Sequence, residues 1–239
     1  MFPRSVLIFT LSAAALFGGL YVVSQTSLAE LMPELLRGAW VTVQVAAGGS
    51  ALALVMALVA ALIRLYAPAP LRWLAMAYIE TFRGTSALVQ LFWLFFVLPH
   101  FGIMLEPMTV GILALGLNIG AYGAEVIRGA IESVPRGQWE AACALNMNRA
   151  QALRRVILPQ AFVAMIPPWG NLLIELLKAT SLVSLITLSD LAFKAQQLNQ
   201  NTLRTAEVFG LVLLMYLGMS LVITAGMRVL ERRASHGLR

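Results

Sequence analysis

Long apolar runs alternate with short segments that collect the charged residues, the runs lying at about 6–23, 39–63, 85–105, 108–127, 161–188 and 207–229. A helix needs about 20 apolar residues to cross the hydrocarbon core of a bilayer, so the pattern predicts an all-α polytopic membrane protein with about six transmembrane helices. The first run follows Arg4 and precedes the polar stretch from Ser24 to Ala29, which fits either an uncleaved membrane anchor or a cleaved secretory signal. Its length exceeds a usual signal core and favours the anchor. Residues 1–30 therefore form an additional N-terminal segment ahead of one membrane domain, 31–239. No linker, internal repeat or low-complexity tract divides that domain.

Composition sharpens this picture. Of 239 residues 60% are hydrophobic and 12% charged, with mean hydropathy +0.82, whereas soluble domains carry about 25% charged residues. A soluble globule is excluded. The net charge of +6 comes from short loops and shows no basic face interleaved with aromatic residues, which argues against nucleic acid. Placing both termini in the cytoplasm puts Arg64, Arg72, Arg83, Arg128, Arg136, Arg149 and most other arginines inside, against Arg37, Lys194 and Arg204 outside and Lys178 within a span. The bias of basic residues toward the cytoplasm supports that orientation in a plasma (inner) membrane. Cys143 is the single cysteine, so no intrachain disulfide forms. The spacing of the two histidines from each other and from the carboxylates offers no metal cluster, and no cofactor is expected.

One segment breaks the rhythm of the spans. Residues 137–159 read GQWEAACALNMNRAQALRRVILP, within a loop 129–160 that is too polar to cross a membrane. Trp139, Leu145, Met147 and Leu153 give it an apolar side that plain loops lack. From these residues alone it is either a solvated basic loop or a surface that docks on another protein.

Two spans carry polar groups that lipid penalises by roughly 2.5–3.5 kcal/mol per charge at mid-membrane. At 100° per residue Asn118, Tyr122 and Glu125 share one helical stripe, and Asn171, Glu175 and Lys178 share another. Two readings stay open. The stripes line a substrate pathway, or Glu175 pairs with Lys178 and Glu125 with Arg128 to hold helices in place. Gly116, Gly120 and Ala124 recur every four residues and permit close helix packing, while Pro167, Pro168 and Gly170 disturb the start of the fifth span. Either stripe would also serve an ion-gradient-driven secondary transporter with Glu125 or Glu175 as the ion carrier. An intramembrane enzyme built on Ser181 and Lys178 is a remote alternative, since neighbouring hydroxyls fit ordinary packing.

The order GQWEAA, then Asn146, then RRVILP resembles the cytoplasmic coupling loop of permease subunits in ATP-binding-cassette importers. The segments LLRGAWVTVQ (35–44), YIETFRGTSALVQ (78–90), GAYGAEVIRGAIESVPRGQ (120–138) and IPPWGNLLIELLKATSLVSLITLSD (166–190) are similar in order and spacing to the polar amino acid uptake branch of that family. Within the branch, residues 84–99 and 175–191 look most like permeases for ectoine and hydroxyectoine. The resemblance does not cover residues 1–30, because five spans are usual in the branch. It implies that Gly137, Gln138, Trp139, Glu140, Ala141, Ala142, Asn146, Leu158 and Pro159 couple the chain to ATPase subunits. It further implies a partner permease, either a second copy or a related one, and an extracytoplasmic solute-binding protein. The chain has no G-x-x-x-x-G-K-[ST] phosphate loop, so ATP hydrolysis is expected on a separate chain and no catalytic residue here. Asn146 stands where the family usually has glycine, and Asn is the next-best residue for a left-handed turn. Ser86 replaces a common proline and Ala179 a common polar residue, departures that bear on substrate class.

Overall fold

The computed structural model describes residues 30–236, so the apolar run at 6–23 and the question of its cleavage lie outside the described residues. Every regular element among them is helical: α1 (Met32–Tyr66), α2 (Ala69–Gly84), α3 (Ala87–Phe92), α4 (Pro107–Glu132), α5 (Arg136–Ala144), α6 (Arg149–Ala152), α7 (Leu158–Ala179), α8 (Leu191–Thr202) and α9 (Thr205–His236). Wider π turns extend α3 through Trp93–Val97 and join α6 to α7 through Leu153–Ile157, and 3-10 turns follow at Leu98–Phe101 and Thr180–Ile186. Four continuous helical stretches are long and apolar enough to cross a membrane. The pair α2 and α3, bent by 106° at their junction, is apolar and long enough in sum to make a fifth crossing or a re-entrant loop.

That bent pair corrects the third predicted span. The apolar run at 85–105 covers only its second arm, because Arg72, Glu80 and Arg83 give α2 the look of a charged loop. The structure instead packs Ile79 of α2 against Ala60 of α1 and Ala124 of α4, burying it. Arg83, assigned by charge counting to the cytoplasm, sits at the bend, level with Tyr122 about halfway along α4. The apolar stretch at the second run also begins earlier than predicted, since α1 starts at Met32, with Pro33 in its first turn.

Helices α1 and α4 run in the same direction and form the centre of the bundle. Small residues set their spacing: a Cβ on Gly116 would lie 2.8 Å from the Leu52 side chain, and one on Gly120 would lie 2.9 Å from Met56. Helix association in lipid depends on such close packing rather than on the exclusion of water. The buried core then joins Val45 and Ala53 of α1, Leu91 of α3, Leu115 and Ile119 of α4, and Leu176 of α7. At the end where α1 starts, Leu35 meets Leu191 of α8 and Val208 of α9. At the far end Ile157 and Ala161 enclose Ala130 and Val134 beside the loop helices α5 and α6.

Candidate functional site

Three polar structures are built on this frame: the loop of α5 and α6, the bend between α2 and α3, and the polar stripe of α7.

Pro135 opens the loop as the cap residue of α5, which runs for nine residues and ends in a left-handed turn. Asn146 takes φ 57° there. Its N–H donates to the Cys143 carbonyl at 2.9 Å and the Met147 N–H donates to the Ala142 carbonyl at 3.1 Å. Those paired bonds are the Schellman arrangement that satisfies the last carbonyls of a helix, and Asn tolerates the conformation as glycine would. Immediately afterwards Asn148 starts α6: its side chain accepts from the Gln151 N–H at 2.9 Å, while the Gln151 side chain accepts from the Asn148 N–H at 3.0 Å. The reciprocal bonds fix the angle between the two helices.

Packing decides which face of α5 is available. Ala142 is 2% exposed and turned into the chain, and Trp139 packs beside Ile157 and Val156. Gln160 Nε2 donates to Gln138 Oε1 at 3.2 Å, tying α5 to the start of α7. Gly137, Glu140, Ala141 and Leu145 are exposed, as is Leu158, and Pro159 is half-buried. The free surface therefore includes Gly137, Glu140, Ala141, Cys143 and Leu145, with Ala142 as the close-packed residue behind it. A nine-residue helix is too short for its sequence alone to show this division.

The bend lies where a membrane has least tolerance for free backbone groups. Asn118 Nδ2 donates to the Phe82 carbonyl at 2.9 Å, and Gln90 Nε2 donates to the same carbonyl at 2.9 Å. Tyr122 OH donates to the Arg83 carbonyl at 3.3 Å, Thr85 OH donates to the Thr81 carbonyl at 2.7 Å, and Gln90 also reaches Thr85 Oγ1. Thus Asn118 and Tyr122, placed on one stripe by periodicity, both serve the broken end of α2. The Arg83 guanidinium rests 5.5 Å from the Tyr122 ring centre, a cation–π contact. Residues 83–86 are exposed on the chain, and Arg83 has no carboxylate partner among the described residues.

Glu125, the third member of that stripe, is shared between Arg64 of α1 and Arg128 of α4; the Arg128 contact is 2.8 Å. Arg128 also reaches Glu132 at 2.5 Å. This network binds the ends of α1 and α4 beside the loop. Its counterpart at the opposite end joins Glu34 to Arg37 at 2.6 Å and to Lys194 at 2.9 Å. Asp190 there is buried, and its Oδ1 caps α8 by accepting from the Phe193 N–H at 2.9 Å. Burial, with Oδ2 unpaired among the described residues, pushes the Asp190 carboxyl up to about 6.

The stripe on α7 is different. Asn171, Glu175 and Lys178 are all exposed on the chain, and no ion pair joins Glu175 to Lys178 among the described residues. No group of histidine, cysteine and carboxylate side chains fit to hold a metal ion occurs among those residues either.

Membrane-crossing helices arranged around a central pair, with a capped two-helix loop projecting at one end, define the class: a multi-pass permease subunit. The chain belongs to the family described as binding-protein-dependent transport system inner membrane component, whose pattern it matches over residues 49–236. It is 49% identical over 201 residues to a probable amino-acid ABC transporter permease protein, y4tF, of Sinorhizobium fredii, spanning 82% of this chain and 84% of that one. The L-cystine transport system permease protein TcyB of Bacillus subtilis is 42% identical over 171 residues, 72% of this chain and 73% of that one. Among solved structures, the crystal structure of an amino acid ABC transporter with histidines superposes with TM-score 0.81 at 35% identity, covering 87% of this chain and 97% of that one. The protein is thus an inner-membrane transport component, not itself an enzyme.

Proposed function

We propose that the chain is the permease half of an importer for polar amino acids or amino-acid-derived compatible solutes, driven by ATPase subunits seated on α5 and α6. The observation that carries this reading is the construction of the loop. Its turn at Asn146 and its capping box at Asn148 hold a rigid, exposed surface of Glu140, Ala141 and Leu145 that nothing among the described residues covers. The coupling set is Gly137, Gln138, Trp139, Glu140, Ala141, Ala142, Asn146, Leu158 and Pro159, with Ala142 and Trp139 supporting the contacting face from behind. A short rigid helix transmits movement of a partner to the helices it joins, here α4 and α7. The loop side is cytoplasmic, as are both termini.

The pathway in this reading runs along Asn171, Glu175 and Lys178 and the bend at residues 83–86, with Asn118, Tyr122 and Glu125 shaping it from behind. Charges left unpaired within a span belong beside water or protein, and a second permease across the exposed stripe would complete the enclosure. An extracytoplasmic binding protein delivers the cargo at the end marked by Glu34 and Lys194. Glu175 and Lys178 are suited to the ammonium and carboxylate of a zwitterion. Ectoine and hydroxyectoine are the specific candidates, on the resemblance of residues 84–99 and 175–191. Residues 31–239 make up this permease domain, preceded by the additional segment 1–30.

Cross-linking tests the loop. With Ala141→Cys in a Cys143→Ser background, a short bifunctional reagent should join the chain to an ATPase subunit, and the yield should change when ATP binds. A thiol introduced by Ala141→Cys that reacts freely with the reagent yet joins no ATPase in the assembled complex would overturn the reading.

A further inference from the structure

We propose that the groove between α1, α7 and α9 holds an anionic phospholipid from the leaflet on the coupling-loop side, with its headgroup on Arg154. The groove has a volume of about 780 Å³ and is lined by apolar side chains from α1, α4, α7 and α9. Leu54, Leu58 and Tyr66 form its α1 wall, and Phe162 and Trp169 its α7 wall. Leu54 and Tyr66 stand twelve positions apart, about 18 Å of helix, close to the roughly 15 Å depth of one leaflet's hydrocarbon.

The groove is separate from the polar stripe. Trp169 and Leu173 lie two positions before Asn171 and Glu175 and so point about 200° away, to the opposite face of α7. Its charge is also one-sided. Arg154 is the single charged residue in the lining, it is exposed, and it has no ion-pair partner among the described residues. Arg154 and Tyr66 stand at the end beside the loop, where headgroups lie, while the rest of the wall offers a phosphate nothing. An acyl chain fits the apolar length and a phosphate fits the guanidinium at its mouth. That combination selects an anionic lipid over a zwitterionic one, whose own cation opposes Arg154.

Trp169 supplies the probe. In the full chain, with Trp40, Trp73, Trp93 and Trp139 changed to Phe, Trp169 fluorescence is followed in vesicles containing phosphatidylglycerol or phosphatidylcholine with brominated acyl chains. Brominated phosphatidylglycerol should quench at about fivefold lower mole fraction, the preference one basic residue supplies near an anionic headgroup. Arg154→Gln should abolish that preference while leaving phosphatidylcholine quenching intact, which also reports that the groove has kept its fold. Arg154→Lys should retain it. A variant retaining only Trp93, at the other end of the molecule, should show no preference. Equal quenching of Trp169 by both lipids would overturn the proposal in favour of ordinary surrounding lipid. Quenching by neither would overturn it too, placing protein over the groove.

Discussion

Asn118 on α4 donates its side-chain N–H to the backbone carbonyl of Phe82, 36 residues earlier, at 2.9 Å. The contact shows how the end of a helix at a sharp bend is satisfied from a distant part of the chain. A bend frees helix-end carbonyls, and in a bilayer only protein or enclosed water can satisfy them. Asn118 and Gln90 converge on one such carbonyl, so each secures it when the other is lost.

That redundancy predicts strong non-additivity. Asn118→Leu alone should cost about 1 kcal/mol, the net worth of one hydrogen bond, and Gln90→Leu more, because its bond to Thr85 goes as well. The double variant should cost clearly more than the sum, because the last side-chain donor to a half-buried carbonyl is then gone. Thermal midpoints of the four purified proteins in one detergent measure the cycle.

At the loop, the left-handed turn at Asn146 sets the choice of residue. Asn146→Gly should change thermal stability by only a few tenths of a kcal/mol. Asn146→Val should lose on the order of 1–2 kcal/mol, since a β-branched side chain resists positive φ. ATPase attachment, read by co-purification, should weaken in the Val variant and persist in the Gly variant.

Asp190 gives the pH dependence. Its carboxyl is raised from 3.8 to about 6 by burial, so the native state disfavours the ion. The native state therefore holds its proton longer than the unfolded chain, and stability falls as pH rises between those two values and levels off above them. Asp190→Asn keeps the cap on Phe193 and removes the titration. Relative to that variant, the wild-type thermal midpoint should drop between about pH 4 and pH 6.5 and run parallel above it.

For α7, Glu175→Gln should alter uptake or substrate preference while assembly and yield stay unchanged, because no ion pair to Lys178 is broken. The double change Glu175→Gln with Lys178→Met should impair transport further. Normal uptake of the same substrates by that double variant would remove the stripe from the pathway.

Much of this architecture is legible locally. The apolar runs locate four of the spans, the glycine spacing on α4 anticipates its close approach to α1, and Asn146 announces its own turn. The bend at residues 83–86 is not legible in that way, since what makes it tolerable is supplied from Asn118 and Tyr122, far along the chain on another helix. Charge counting therefore sent Arg83 to a loop. Periodicity places Asn118, Tyr122 and Glu125 on one stripe, but their partners on α2 and α1 depend on tertiary packing. Likewise, i and i+3 spacing brings Glu175 near Lys178 without making them pair, whereas Glu125 and Arg128 at the same spacing do. The inward turn of Ala142 depends on the packing of α5 against the turn at Leu153–Ile157, which no nine-residue pattern reveals.

The most direct test of ATP-driven transport through the loop is uptake by vesicles containing this permease, its ATPase and its binding protein. Accumulation should require ATP, persist when a protonophore collapses the ion gradient, and disappear in Ala141→Trp, which overfills the exposed face of α5 without touching the buried Ala142 side. Accumulation without the ATPase, driven by an imposed proton or sodium gradient and unaffected by Ala141→Trp, would contradict ATP-driven transport through the loop.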